Sequence, residues 1–185
     1  FRLGHNTDVG RVRDLNEDSL LVMVLDRVHR SIGKPIGLLA VADGMGGHAA
    51  GDIASGLVVD TIAERVVSQM LIPYLNDSPE LGPARAQQWL DAAILTANQA
   101  VLDRRRETNS NMGTTVVAAL IIGTDVFIAN VGDSRAYIIN QDDIRQITTD
   151  HSLVERLVAV GQITPAEART HPQRNVIYRT IGDEE

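Results

Sequence analysis

The order of hydrophobic patterns along the 185 residues predicts an α+β fold. Two short apolar runs come first, at residues 19–26 and 36–42, and each has the length of a buried strand. Two long amphipathic helices are predicted next, and runs rich in β-branched residues return after residue 113. Because strands that follow one another through short turns pair antiparallel, we expect an antiparallel sheet with the helices packed on it.

The two predicted helices carry apolar residues at helical spacing. The first runs from Ala49 to Met70 and the second from Ala84 to Glu107, with a loop from Pro73 to Pro83 between them. Trp89 is expected to pack beside the apolar stripe of the second helix. Residues 104–106, all arginines, are expected to form a solvated helix end, where positive charge favours the helix dipole.

The remaining segments complete the predicted architecture. Residues 114–122, 125–131 and 135–140 are predicted strands of a meander, because β-branched residues dominate them and turn residues separate them. An edge strand is predicted over residues 1–9 and a last strand over residues 175–181. Between these strands, a short helix at 151–160 and another starting near residue 164 predict a flap over a site.

The composition excludes several classes of protein. Without cysteine, the chain has no disulfide, no thiolate catalysis and no cysteine-ligated zinc. The 24 acidic and 17 basic residues give a net charge of −7, which argues against general nucleic-acid binding. No apolar run has the length of a membrane span, and no signal-peptide pattern opens the chain. We therefore expect a single cytoplasmic domain that acts as a monomer, with no nucleic-acid or membrane partner.

Three aspartates stand at predicted strand ends beside glycine or polar turns. Asp18 enters the first strand, Asp43 follows the second, and Asp133 lies between two later strands. If the first two strands are antiparallel neighbours, Asp18 and Asp43 fall at the same end of the sheet. Singly, each fits an ordinary turn carboxylate. Together with Arg13, they indicate an oxygen-ligand site for a hard divalent cation, with a guanidinium that can bind phosphate.

Six motifs follow one another along the chain. They are RVRDLNEDS (11–19), ADGMGGHAAG (42–51), GTT (113–115), NVGDSRAY (130–137), DHS (150–152) and IYRTIG (177–182). In this order they resemble the bacterial form of the PPM family, the metal-dependent protein serine/threonine phosphatases of type 2C. The resemblance implies a layered α-β-β-α sandwich of antiparallel sheets flanked by helix pairs, with a flap at about residues 151–172. It also implies hydrolysis of phosphoserine and phosphothreonine in protein substrates by a metal-bridged water.

The resemblance further implies a set of metal ligands. Asp43 corresponds to the aspartate that bridges two Mn²⁺ or Mg²⁺ ions, and Gly44 to the glycine that offers its backbone carbonyl. Glu17 and Asp18 correspond to the pair that supports the second ion, largely through its waters. Asp133 resembles the ligand of a third, weaker ion near the flap.

The resemblance assigns the substrate phosphate to Arg13, which together with Asp43 is the predicted catalytic pair. The general acid stays open, with His48 and His151 as the two candidates. A helix-start histidine and a loop histidine also fit structural roles.

The chain departs from the family pattern at its end. The pattern continues past IYRTIG into an SDG-type motif and a DN motif, each with another metal-binding aspartate, and residues 1–185 contain neither. We therefore expect a C-terminally truncated phosphatase domain that lacks central strands of the sandwich and is poorly active by itself. The alternative is a catalytically inactive phosphatase-like binding or regulatory module with an incomplete metal site. A calcium-binding module fits less well, because residues 43–47 lack the alternating acidic ligands of a calcium loop.

Overall fold

The computed structural model describes residues 2–26, 28–29, 32–33, 35–47, 49–75 and 83–184. Within these ranges the strands are β1 (Asp18–Leu25), β2 (Val28–His29), β3 (Ile32–Gly33), β4 (Ile36–Met45), β5 (Gly113–Thr114), β6 (Val116–Ile122), β7 (Asp125–Val131), β8 (Tyr137–Ile139) and β9 (Ile144–Gln146). The helices are α1 (Ala49–Val66), α2 (Ile72–Leu75), α3 (Pro83–Thr108), α4 (Leu153–Ala159) and α5 (Pro165–Ala168), and a π-helical segment (Val67–Leu71) joins α1 to α2.

The main sheet has the strand order β1-β4-β6-β7, with every neighbouring pair antiparallel, and β5 pairs with the end of β4. Its first two strands, β1 and β4, are antiparallel neighbours, as predicted, and all of β1 pairs with β4, from Asp18–Asp43 to Leu25–Ile36. The pairs β2-β3 and β8-β9 form separate two-stranded ribbons. The α+β class and the antiparallel sheet are therefore confirmed.

One face of the sheet is covered by helices. Alternate residues of β4 on this face, including Leu38 and Ala42, are fully buried, as strand geometry requires. α1 packs on β1 and β4, and α3 packs on β7 and against α1. Trp89 lies partly buried against this core, which confirms its predicted place.

The opposite face of the sheet is the more exposed one. Val24 of β1, Val41 of β4 and Val126 of β7 lie on it, and each is about half exposed, between 47% and 55%. Within the described part of the chain, the residues thus form one helix layer and one five-stranded sheet of the expected sandwich.

Two strand predictions are wrong. Residues 2–9, the described part of the predicted edge strand, pair with no other strand in the structure, and a turn follows in which Asp8 accepts a hydrogen bond from the backbone N–H of Gly10. Residues 175–181 form only isolated bridges, from Ile177 to Ser152 and from Ile181 to Thr114. Both segments have strand-like composition, but composition does not provide a neighbouring strand to pair with.

Three smaller differences concern the helices and the meander. α1 ends at Val66, and the π-helical segment replaces the last turn of the predicted helix. α2 occupies the start of the predicted loop, whose residues 76–82 lie outside the described residues. The predicted strand at 135–140 is restricted to β8. Arg105 is not part of a solvated helix end, because its guanidinium donates to the backbone oxygen of Gly182 and its side chain is only 31% exposed.

The two short helices predicted for the flap are confirmed as α4 and α5. Ser152 caps α4 by accepting from the backbone N–H of Glu155. Thr164 and Glu167 form a capping box at the start of α5, where Pro165 occupies the first turn. Among the described helices, none combines the length and apolar character needed to cross a membrane.

Candidate metal and phosphate site

Two opposed carboxylates form the centre of the candidate site. Asp18 is the first residue of β1, Asp43 lies near the end of β4, and the two are direct partners in the antiparallel ladder. Directly opposed residues project to the same side of a sheet, so both carboxylates lie on the open face. Burial, followed by the negative charges of Asp18 and Asp133, raises the pKa of Asp43, and the nearby Arg13 lowers it. This concentration of negative charge is what a bound cation relieves.

Arg13 and Glu17 form an ion pair beside these carboxylates. Arg13 Nη1 donates to Glu17 Oε2 at 2.6 Å, and the Glu17 side chain is only 7% exposed, whereas that of Arg13 is 64% exposed. The backbone oxygen of Glu17 accepts from the N–H of Gly44 at 3.1 Å and from Ser55 Oγ at 2.7 Å. Glu17 is therefore anchored to both β4 and α1, and it holds the guanidinium of Arg13 at the site.

The glycines after Asp43 allow β4 and α1 to touch. A Cβ added to Gly44 would lie 2.2 Å from the backbone oxygen of Gly51 and 2.5 Å from that of Glu17. A Cβ on Gly51 would lie 2.8 Å from the backbone carbon of Gly44. Only glycine fits at both positions without a backbone shift. The close contact places the first turn of α1 directly behind the candidate ligand Gly44.

Asp133 lies in the turn that follows β7. Gly132, just before it, has φ +102°, a left-handed conformation that glycine adopts without strain. Asp133, Arg13, Glu17, Asp43 and Gly44 all line one cleft of about 750 Å³. The structure therefore brings these five predicted residues together, and Asp18 joins them through its pairing with Asp43.

The residues present fit a hard divalent cation. In the described part of the chain, no group of three or more His, Cys, Asp or Glu side chains is placed to hold a metal ion by itself. The cleft instead offers adjacent carboxylates, a third carboxylate whose charge acts on Asp43, and backbone oxygen. Oxygen donors of this kind suit Mg²⁺ and Mn²⁺, which keep several waters in their coordination shells. The donor set therefore fits an open site that the protein coordinates only in part.

His151, a candidate general acid, hydrogen-bonds the turn before Asp133 and is not among the described residues that line the cleft. Its Nδ1 accepts from the backbone N–H of Gly132 at 3.1 Å, and its own backbone N–H donates to the Gly132 oxygen at 2.9 Å. Burial and the charge of Arg179 lower the pKa of His151, with a smaller opposing effect from Asp150. The ring therefore braces the turn that carries Asp133. The other candidate, His48, lies outside the described residues.

Sequence reasoning missed the threonines that hold Asp43 from behind. Thr114 and Thr115 are fully buried, although both are polar. Thr114 Oγ1 donates to the backbone oxygen of Asp43 at 2.9 Å, and the Thr115 N–H donates to the same oxygen at 2.9 Å. The signal in the sequence is the GTT motif at residues 113–115, in which two adjacent threonines directly precede the apolar run of β6.

A second missed feature is the ion pair between Arg135 and Asp150. Arg135 donates through Nε and Nη2 to the carboxylate of Asp150, at 2.6 to 3.0 Å, and Asp150 is 5% exposed. Hydrogen bonds to Asp150 raise the pKa of Arg135. Gln146 of β9 also donates to Asp150, at 3.0 Å. The pair ties the residues after Asp133 to the start of the flap.

The comparison with known proteins agrees with this geometry. The model of the protein phosphatase 2C family matches residues 7–157. The chain belongs to this family. The resemblance inferred from the six motifs is thereby confirmed.

Two of the relatives that the chain matches are bacterial phosphatases. The chain is 39% identical over 180 residues to the serine/threonine phosphatase stp of Listeria welshimeri, covering 96% of the chain and 66% of that protein. It is 37% identical over 187 residues to the serine/threonine protein phosphatase PstP of Mycobacterium tuberculosis, covering 100% of the chain and 32% of PstP. The chain thus spans just under two thirds of the Listeria phosphatase.

Solved structures of phosphatases share the fold. The crystal structure of serine/threonine phosphatase Stp1 from Staphylococcus aureus matches with a TM-score of 0.81 at 41% identity, over 97% of this chain and 65% of that one. The catalytic domain of PstP in complex with two manganese ions matches with a TM-score of 0.71 at 34% identity, over 97% of this chain and 66% of that one. Membership of a metal-dependent phosphatase family is consistent with the oxygen-rich donor set of the cleft.

Proposed function

We propose that the protein is a metal-dependent protein serine/threonine phosphatase, which hydrolyses phosphoserine and phosphothreonine in phosphorylated proteins. The observation that carries the proposal is the pairing of Asp18 with Asp43 across β1 and β4, in reach of the guanidinium of Arg13. This arrangement combines acidic oxygen ligands with a cationic group for phosphate. Family membership and the phosphatase names of the relatives support it.

The proposed cofactors are two Mn²⁺ or Mg²⁺ ions, with a third at Asp133. Asp43 and the carbonyl of Gly44 would hold the pair, and Asp18 and Glu17 would support it. When bound, such ions lower the pKa of coordinated water and neutralise phosphoryl oxygens. The positive charge of these ions would allow a protein with a net charge of −7 to bind an anionic substrate.

Arg13 would bind and orient the phosphate. Its guanidinium presents N–H groups in a fork that matches two phosphate oxygens, and 64% of the side chain is open to solvent. Glu17 fixes one end of the fork through Nη1 and leaves the other N–H groups for the substrate. Arg13 therefore acts mainly on substrate binding in this proposal.

The test uses the full-length protein and a phosphothreonine peptide, with Mn²⁺, with Mg²⁺ and with excess chelator. We expect turnover only with metal. Asp43→Asn should lower kcat by about 100-fold or more, because charge stabilisation by a bound metal amounts to several kcal/mol. Arg13→Ala should mainly raise KM, and Arg13→Lys, which keeps the charge without the fork, should have an intermediate KM.

Two results would contradict the proposal. Full turnover in chelator would exclude a metal mechanism, and wild-type rates in Asp43→Asn would exclude the bridging role. Binding of the phosphopeptide without turnover in Mn²⁺ would instead support the inactive binding module. Action in the cytoplasm, as a monomer, and without nucleic-acid or membrane partners stays a prediction from the sequence.

A further inference from the structure

Two hydroxyl groups, of the buried Thr115 and the partly buried Ser134, connect the two acidic ends of the cleft. Thr115 Oγ1 and Ser134 Oγ lie 2.6 Å apart, within a strong hydrogen bond. Thr115 immediately precedes β6 and is 0% exposed, and Ser134 directly follows Asp133 in the turn after β7. The pair therefore lies between the backbone of Asp43 and the residue next to Asp133.

Thr115 holds the backbone of Asp43 by two hydrogen bonds. The N–H of Thr115 donates to the oxygen of Asp43 at 2.9 Å, and Thr115 Oγ1 accepts from the N–H of Asp43 at 3.1 Å. A hydroxyl has one proton and two lone pairs. With one lone pair used by Asp43, the proton and the other lone pair are available to Ser134, so one oxygen serves both sides of the cleft.

The side chain of Thr115 also supports the turn sterically. A Cβ on Gly132 would lie 2.6 Å from both Thr115 Cβ and Thr115 Cγ2, so the backbone of Gly132 rests directly on this side chain. Threonine is branched at Cβ, which restricts its χ1 rotation. A single stiff, buried side chain therefore contacts the turn that carries Asp133 through its methyl and, through its hydroxyl, the backbone of Asp43.

We infer that Thr115 is a positioning residue that sets the separation of the carboxylates of Asp43 and Asp133, and so couples cation binding at the two positions. The inference rests on the proposed metal site. The negative charge of Asp133 acts on Asp43, so the two like charges repel each other when no cation lies between them. The hydroxyl pair opposes this repulsion by tying the turn after β7 to the end of β4.

The experiment measures Mn²⁺ binding to the full-length protein by titration calorimetry, and thermal unfolding of the metal-free protein. Thr115→Val keeps the shape and removes the hydroxyl, whereas Thr115→Ser keeps the hydroxyl. Thr61→Val is the matched control, because the Thr61 hydroxyl donates to the Leu57 oxygen within α1, away from the cleft. Ser134→Ala and the double variant with Thr115→Val complete a cycle that isolates the shared hydrogen bond.

We expect Thr115→Val to weaken Mn²⁺ binding by about 10-fold or more, as loss of a group that supports a metal ligand does. Thr115→Ser should stay within about 3-fold of the wild type, because it retains the hydroxyl that orients the ligand. Ser134→Ala should also weaken binding, and the double variant should bind about as Thr115→Val does, because both changes remove the same bond. Thr61→Val should leave Mn²⁺ affinity unchanged.

Wild-type Mn²⁺ affinity in Thr115→Val, or an equal loss in Thr61→Val, would overturn the inference. If Thr115→Val does not fold, Ser134→Ala becomes the deciding variant. Wild-type Mn²⁺ affinity in Ser134→Ala would then overturn the inference. The wild-type protein and Asp43→Asn are titrated first. Absence of Mn²⁺ binding by the wild type would overturn the proposed function and this inference together, whereas binding that Asp43→Asn abolishes and Thr115→Val leaves at wild-type affinity would overturn the inference alone.

Discussion

Two glycines of α1 should respond differently to substitution by alanine. Gly51 lies in the first turn, against the backbone of β4, and Gly56 lies in the middle of the same helix. An added Cβ would be 2.8 Å from the backbone carbon of Gly44 at position 51, but 3.9 Å from its nearest neighbour, Ser19 Oγ, at position 56. The pair therefore separates helix propensity from steric contact.

The magnitudes follow from these distances. Replacing glycine by alanine inside a helix stabilises it by about 1 kcal/mol, and Gly56→Ala should show this gain because its methyl group enters ordinary contact. At Gly51 the methyl group meets rigid backbone, and overpacking of this kind costs about 1–3 kcal/mol. Since both variants gain helix propensity, the difference in their free energies of unfolding should be about the cost of the close contact.

The assay is urea unfolding of the metal-free protein, monitored by circular dichroism. The midpoints are compared between variants whose unfolding transitions have equal m-values. Gly56→Ala should raise the midpoint above that of the wild type, and Gly51→Ala should lie below Gly56→Ala by an amount that corresponds to about 1–3 kcal/mol. Equal stabilisation by both substitutions would refute the argument, because it would show that β4 and α1 do not touch at Gly44 and Gly51.

Two further predictions concern the braces around the flap. Burial lowers the pKa of His151 below its ordinary value of 6.5, so the wild type should lose stability as pH falls from 6.5 towards the folded-state pKa. His151→Asn, whose amide oxygen accepts from Gly132 at any pH, should not lose stability in this pH range. Identical pH profiles of the urea midpoint in the wild type and in His151→Asn would contradict the role of His151 as a brace of this turn. For Arg135 and Asp150, a double-mutant cycle with Arg135→Met and Asp150→Asn should give a coupling of about 1–2 kcal/mol, reduced by the partial exposure of Arg135. Simple additivity of the two unfolding free energies would show that the ion pair contributes nothing.

The parts of the fold that depend on local periodicity could be predicted. The apolar runs at 19–26 and 36–42 became β1 and β4, and the amphipathic patterns became α1 and α3. The position of Asp18 opposite Asp43 also followed, because a short connection between two strands leaves antiparallel pairing as the simplest arrangement. Asp18, Asp43 and Asp133 could be predicted as carboxylates at strand ends, whereas Glu17 and Gly44 were implied only by the resemblance to the family.

The predictions of strands at residues 1–9 and 175–181 were wrong because strand formation depends on distant residues and not on local periodicity. A strand exists only where another strand offers its N–H and C=O groups, and neither segment's own residues contain that information. The braces of the site were missed for the same reason. Thr115 and Ser134 are 19 residues apart, and any threonine or serine can satisfy its hydroxyl with water instead.

The amino-acid sequence by itself determined the class of fold and the family, since these depend on residue types and their spacing along the chain. The tertiary structure alone decided which groups meet: Glu17 with Arg13, His151 with Gly132, and Thr115 with Asp43. The physical reason is that hydrogen bonds and ion pairs depend on distances of about 3 Å between atoms. For Thr115 with Asp43 and for His151 with Gly132, such distances arise only when β4, the start of β6, the turn after β7 and the start of α4 are packed together.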